Sequence, residues 1–241
     1  MISGTTRLVG LIGRPVSDSL SPRMQNAAFA ARGLDWAYVP LPVEESRVEA
    51  AVAGLVALGF AGANVTAPYK TRALAFCDEL DEVATRARSV NTLVIDDERV
   101  VGSSTDAEAL ERIDASSAAV VGSGGAASAW IGGLEARGIS AQVFGRSGRW
   151  PPETAGVDLV VHATPVRDEL LFEPRRGQTI VDLAYLPDGR DSALTVAARA
   201  AGCTVVDGLE VLVLQGAASF ERWTGVPAPV DVMRAALRFP A

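Results

Sequence analysis

Four apolar residues, Ala118-Ala119-Val120-Val121, run into Gly122-Ser123-Gly124-Gly125-Ala126 and then directly into a helical pattern over 126–137. A short continuous apolar run reads as a buried strand. A chain that leaves such a strand through a tight glycine turn straight into a helix forms half of a crossover unit, and crossover units build parallel sheets covered on their faces. Further strand patterns lie at 7–12, 36–41, 62–65, 92–95, 141–144, 158–161, 179–183 and 204–206. Helical patterns lie at 22–32, 46–58, 192–201 and 209–223. This alternation predicts an α/β fold with largely parallel sheets.

With 241 residues the chain has room for one large domain or two smaller ones, and the change of pattern after Ser116 puts a boundary near Thr105. The net charge of −7 argues against nucleic-acid partners, whose sites carry a basic footprint. No apolar run reaches the length of a membrane span, and residues 1–7 lack a leader pattern, so a cytoplasmic location is expected. Cys77 and Cys203 are too far apart for a paired metal or disulfide motif, and His162 is the single histidine, so no metal site is expected. His162 closes the apolar run 157–161, where packing or a backbone contact is a better reading than catalysis.

The turn itself has the form Gly-x-Gly-x-x-Ala between a strand and a helix, the context a dinucleotide fingerprint needs. The glycines permit the tight turn and a close backbone approach, and the helix N-terminus faces an anion. The next strand pattern ends in Val143-Phe144-Gly145-Arg146-Ser147-Gly148-Arg149. An NAD site places an acidic residue about 20 positions after the glycines, and this stretch carries two arginines instead, which points to the 2′-phosphate of NADP.

Cations give a second signal. Of the 22 Lys and Arg residues only Lys70 is lysine, and it ends the run Gly62-Ala63-Asn64-Val65-Thr66-Ala67-Pro68-Tyr69-Lys70. A chain that writes every other cation as arginine keeps an ammonium there, a compact donor rather than a planar fork.

Three segments, Ser19-Leu20-Ser21-Pro22 with Asn26, Asn64 through Lys70, and Val90-Asn91-Thr92-Leu93 with Ser104-Thr105-Asp106, resemble the shikimate dehydrogenase family. The glycine turn and the stretch 208–217, followed by Trp223-Thr224-Gly225, resemble its later signatures in the right order. The resemblance implies two α/β domains with a cleft between them: a substrate domain of residues 1–105 plus 208–241, and a Rossmann-type domain of residues 106–207. It implies NADPH-dependent reduction of 3-dehydroshikimate to shikimate in aromatic amino-acid biosynthesis, by a monomer or homodimer. Lys70 and Asp106 match the family's catalytic pair. Ser19, Ser21, Asn64, Thr66, Asn91, Gln215 and Tyr185 match substrate-binding positions. Gly122, Ser123, Gly124, Gly125, Ala126, Arg146, Ser147, Arg149 and Thr164 match cofactor-binding positions.

Two of these residues also fit structural roles: Ser21-Pro22 reads as a helix cap, and Thr105-Asp106-Ala107-Glu108 as a capping box. The chain departs from the family pattern in several places. Ala107 and Ala109 replace glycines, His162 replaces an asparagine, Arg167-Asp168 replaces Gly-Met, Val211 replaces a methionine, and 146–158 is short for a crossover helix. These departures leave two competing readings. One is a relative acting on quinate or another polyol acid, with NAD as an alternative cofactor. The other is a catalytically weak shikimate-binding regulatory paralogue.

Overall fold

A computed structural model describes residues 2–238. Two sheets divide the chain. The first contains β1 (Arg7–Gly13), β2 (Trp36–Pro42), β3 (Gly62–Val65), β4 (Glu79–Leu80), β5 (Thr92–Asp96) and β6 (Arg99–Ser103), in the order β2-β1-β3-β5-β6-β4. The second contains β7 (Ala118–Val121), β8 (Ala141–Phe144), β9 (Leu159–His162), β10 (Thr179–Asp182) and β11 (Thr204–Val206), in the order β11-β10-β9-β7-β8. Every pairing in the second sheet is parallel. The first is mixed, because β5 runs antiparallel to both β3 and β6. The fold is two-domain α/β, with the expected strands present within a residue or two.

The helices are α1 (Ser21–Ala31), α2 (Val48–Ala57), α3 (Glu82–Ala87), α4 (Gly125–Ala136), α5 (Ala193–Ala200), α6 (Gly208–Thr224) and α7 (Val230–Ala236). No helix joins β8 to β9, in keeping with the shortness of that connection, and none joins β9 to β10. In the second sheet β7 sits between β8 and β9, so the chain direction of the crossovers reverses at β7. Open α/β sheets bind ligands at the carboxyl end of such a switch point, and the Gly122–Gly125 turn lies there.

α6 joins the two halves. Its Val211 and Leu214 are buried with β7, β9 and α4 of the second sheet. Its Val213, Ala217, Phe220 and Trp223 are buried with α1, α7 and β1 of the first. Gly208 starts α6 against the backbone of Ala184, where a side-chain carbon would lie 2.3 Å from the carbonyl oxygen. The Trp223 indole donates to the Leu93 carbonyl at 2.9 Å and roofs Gly62.

A side-chain carbon at Gly62 would fall 2.2 Å from the Leu93 oxygen and 2.6 Å from the Trp223 indole nitrogen, both held in place. Gly62→Ala is therefore expected to lower stability by about 2 kcal/mol or more. Gly54, in the middle of α2 with nothing within 4 Å of the same position, is the control. Gly54→Ala should gain about 0.5–1 kcal/mol. Urea unfolding of the two variants checks both signs.

Candidate active site

The carboxyl end of β3 continues through Thr66 to Lys70, and the end of β6 continues through Ser104 and Thr105 to Asp106. These two strap segments bring the lysine and the carboxylate face to face. Lys70 Nζ donates to both Asp106 oxygens at 2.7 Å, and both side chains are largely buried. Asn91, just before β5, donates through Nδ2 to Asp106 Oδ1 at 2.9 Å and to Thr105 Oγ1 at 2.9 Å. Its Oδ1 accepts from the Thr105 backbone N–H at 2.8 Å. The Asn91 amide thus fixes both the carboxylate and the backbone that carries it.

Asn64 extends the network along the sheet. In register with Thr92 across the β3–β5 pair, its Nδ2 faces the Asn91 carbonyl at 2.9 Å and Ser219 Oγ at 3.0 Å. Its Oδ1 accepts from the Tyr38 hydroxyl at 2.9 Å. Tyr38 in turn is bonded to the Ser21 hydroxyl. Ser19 lies beside the Tyr185 hydroxyl, which also bonds the Leu20 backbone. Burial pushes the Tyr185 phenol above its ordinary pKa, so it stays an O–H donor at neutral pH. One continuous chain of bonds therefore runs from Ser21 through Tyr38, Asn64 and Asn91 to Asp106 and Lys70. Gln215 sits beside it, with Oε1 at 3.4 Å from Asn91 Nδ2. Thr66 follows β3 with its methyl group over Gly13, where any side chain would collide with it.

The alternative capping roles are not the ones adopted. Leu20 occupies the cap position of α1, and the Ser21 hydroxyl turns to Tyr38 instead. The turn Glu108–Arg112 has no side-chain cap; the Thr105 hydroxyl points to Asn91 and Ser219, and Glu108 faces Arg222 at 3.5 Å. Two residues of the network, Tyr38 and Ser219, lie outside the motifs read from the sequence. Ser219 lies one helical turn after Gln215, and that spacing marks a polar stripe on an otherwise apolar helix.

On the second sheet, Gly122 has φ 140° and sits against Ala163, where a side-chain carbon would lie 2.5 Å from the carbonyl oxygen. Gly124 is extended with open space beside it, and Ser123 is exposed. Gly125 rests on Lys70, and Ala126 follows in the first turn of α4. Arg146 and Ser147 are exposed after β8. Arg149 is engaged locally, stacking on Phe144 at 4.8 Å, donating to Gln142 at 3.3 Å and lying 3.7 Å from Glu153. Thr164 Oγ1 lies 2.6 Å from His162 Nε2, and His162 Nδ1 is 2.8 Å from the buried Asp182. His162 is a structural strut between β10 and the loop after β9.

The substrate-binding-domain model of shikimate dehydrogenase matches residues 11–93, and the C-terminal-domain model of shikimate 5′-dehydrogenase matches residues 208–238. A shikimate dehydrogenase (NADP(+)) of Rubrobacter xylanophilus is 39% identical over 280 residues, covering 98% of this chain and 97% of the relative. The chain belongs to the shikimate dehydrogenase family. A relative of the same name from Anaeromyxobacter dehalogenans is 40% identical over 274 residues, covering 98% and 97%. Both alignments are longer than the chain, so this family member is abbreviated against those relatives. Among solved structures, the enzyme of Thermus thermophilus in complex with NADP(H) and shikimate is 29% identical, with a TM-score of 0.82 and 96% and 98% of the two chains covered. The quinate dehydrogenase of Corynebacterium glutamicum in complex with NAD is 26% identical, with a TM-score of 0.80 and 96% and 98% covered.

Ser219 meets Asn64, Thr92 and Thr105 at one buried point. Ser219→Ala removes a buried hydroxyl shared by all three, each of which keeps Asn91 as a partner, and is expected to cost about 0.5–1.5 kcal/mol. Chemical unfolding measures this, with Ser19→Ala, at the edge of the network, expected to leave stability within about 0.5 kcal/mol.

Proposed function

We propose that this oxidoreductase interconverts 3-dehydroshikimate and shikimate with NADP(H), in the pathway to aromatic amino acids. The observation that carries the reading is the Lys70–Asp106 pair held by Asn91 at the mouth of a polar wall. Reduction of a ring carbonyl turns its oxygen into a hydroxyl, and that oxygen needs a proton as its charge develops. Lys70 Nζ holds such a proton at the end of a short, well-oriented arm. Asp106 orients the ammonium and accepts from a neighbouring ring hydroxyl. Asn64, Thr66, Asn91 and Gln215 present amide and hydroxyl groups to the remaining ring hydroxyls, and Ser19, Ser21 and Tyr185 hold the carboxylate.

The second-sheet turn fits a dinucleotide. Gly122 adopts a backbone conformation that favours glycine, Gly124 leaves room for close approach, and the α4 N-terminus provides unpaired N–H groups. Gly122 through Ala126 would hold the pyrophosphate, Arg146, Ser147 and Arg149 the 2′-phosphate, and Thr164 the nicotinamide side. When bound, NADPH supplies the hydride. We place the substrate domain at residues 1–105 plus 208–241 and the dinucleotide domain at 106–207, a division supported by the two separate sheets and the return of α6. The reading carries with it a cytoplasmic location.

A second reading, quinate or shikimate oxidation with NAD, draws support from Arg149, whose guanidinium is already taken by Phe144, Gln142 and Glu153. Arg146 is then the main discriminating cation. Arg146→Ala should weaken NADP by about 10-fold or more while changing NAD little, since a charge-assisted bond is worth about 1.5–3 kcal/mol. An equal loss with both cofactors in a 340 nm assay would remove Arg146 from the phosphate site.

Lys70→Arg keeps the charge and alters the donor. Turnover should fall by about 10²–10⁴, the usual size of a general-acid contribution, with melting temperature preserved. Asp106→Asn should likewise lower kcat more than it raises KM. Shikimate binding without turnover by either cofactor would replace the dehydrogenase with a binding paralogue.

A further inference from the structure

β7, β9 and β10 end level with one another at His162. It closes β9 in register with Asp182 of β10 on one side and, on the other, with Val121 of β7, the residue before Gly122. Both His162 and Asp182 are buried. Two positions on, Thr164 is half-buried, just past Ala163, whose carbonyl crowds Gly122 of the glycine turn. The proposed reaction leaves this histidine unused, yet its bonds run from a buried carboxylate to the rim of the turn.

The hydrogens along that route can be placed one by one. Asp182 Oδ1 accepts from the Ala184 N–H at 3.0 Å, and Oδ2 accepts from the hydroxyls of Ser192 and Thr195. Ser192 Oγ itself accepts from the Thr195 N–H at 3.0 Å, so its own hydrogen goes to Asp182. A carboxylate met by donors on both oxygens only accepts. His162 Nδ1, 2.8 Å from Asp182 Oδ1, therefore carries a hydrogen. At the far side of the ring, Nε2 and Thr164 Oγ1 are 2.6 Å apart. Thr164 Oγ1 also accepts from the Val166 N–H at 3.2 Å. Among the described residues, Nε2 is the one acceptor for the Thr164 hydroxyl hydrogen. Were Nε2 to carry a hydrogen too, Thr164 Oγ1 would receive two donors and its own hydrogen would have no partner in the chain. The arrangement that places every hydrogen has a bare Nε2 accepting from Thr164.

We propose that His162 is a positioning residue for the nicotinamide half of the dinucleotide. By engaging the Thr164 hydrogen, the Asp182–His162 pair leaves Thr164 Oγ1 able only to accept, so that it selects a hydrogen-bond donor of that half, the carboxamide N–H2 or a ribose hydroxyl. The proposal rests on the placing of Thr164 at the nicotinamide side given above. A freely rotating hydroxyl serves donors and acceptors alike and must be ordered on binding. One held by a buried, carboxylate-anchored ring is already ordered, and that preorganisation appears as affinity.

His162 is the single histidine, so its ring nitrogens can be followed directly by nitrogen NMR. The ligand-free protein at neutral pH should show Nδ1 protonated and Nε2 bare, with Thr164→Val moving the Nε2 resonance and leaving Nδ1 in place. Calorimetry of cofactor binding supplies the second readout. His162→Asn keeps an N–H for Asp182 and removes Nε2; Thr164→Val removes the hydroxyl, and Thr164→Ser keeps it. NADPH should bind about 3- to 10-fold more weakly to His162→Asn and Thr164→Val, with Thr164→Ser near wild type. Adenosine 2′,5′-bisphosphate, which lacks the nicotinamide half, should bind wild type and variants alike. The 3-acetylpyridine analogue of NADPH has no carboxamide N–H2. If the variants lose nothing against that analogue, the donor is the carboxamide; if they lose as much as against NADPH, it is a ribose hydroxyl, and both results support the proposal. A hydrogen on Nε2 in the ligand-free protein, an equal loss for NADPH and the bisphosphate, or no loss for NADPH overturns it. Thr164→Val decides alone if His162→Asn does not fold. NADPH binding that depends on His162, without turnover of shikimate, keeps the proposal and removes the dehydrogenase reading. Turnover with binding indifferent to His162 does the reverse, and a wild type that does not bind NADPH removes both.

Discussion

Burying a carboxylate costs several kcal/mol unless a charge and hydrogen bonds meet it, and the arrangement of Asp106 answers that demand with residues drawn from four places. Lys70 comes from the end of β3, Asn91 from the approach to β5, Thr105 from the strap after β6, and Gln215 and Ser219 from α6. Without β5 the ion pair would lose Asn91, its orienting partner. The mixed topology of that sheet follows the same requirement, because the antiparallel β5 is what turns Asn91 toward the ends of β3 and β6.

The long α6 is the other half of that arrangement. An amphipathic helix normally serves one core, whereas α6 is apolar on more than one side and enters both. Between its two buried ends it offers a narrow polar stripe, Gln215 and Ser219, that closes the network above Asn64 and Asn91. The helix therefore sets how far the Gly122–Gly125 turn stands from the Lys70–Asp106 pair, and it does so with packed side chains rather than a flexible linker.

Much of this was legible in the sequence. The apolar run before Gly122 and the alternation of periods were enough for the second sheet, since buried parallel strands leave the clearest trace. The solitary Lys70 and the three asparagines marked the site, and all but Asn26 enter the network; Asn26 instead ties α1 to the Tyr38 backbone. What was not legible had physical reasons. The β5–β6 hairpin turns through Asp97 at φ 52°, without the glycine that usually announces such a turn. α3 and α7 are too short for a period to show. Ser21-Pro22 looks like a cap from local sequence alone, and only the arrival of Tyr38 from β2 gives the hydroxyl a better partner. Ser219 shows only as the second polar residue of a stripe, because apart from the Gln215 carbonyl its partners lie more than a hundred residues away.

Gly125 and Gly132 have a consequence for how this family can be recombined. The first lies against the Lys70 stem, where a side-chain carbon would be 2.8 Å from Lys70 Cβ, and the second lies 3.0 Å from the Ala87 backbone by the same measure. The helix α4 therefore bears directly on Lys70 of the other half. A chimera that grafts a foreign nucleotide module onto this substrate half would be decided at these two bare backbone positions before its cofactor loop mattered at all. A methyl group at either one would wedge the halves apart and swing the ammonium off its target, an inactivation transmitted as leverage rather than as lost chemistry.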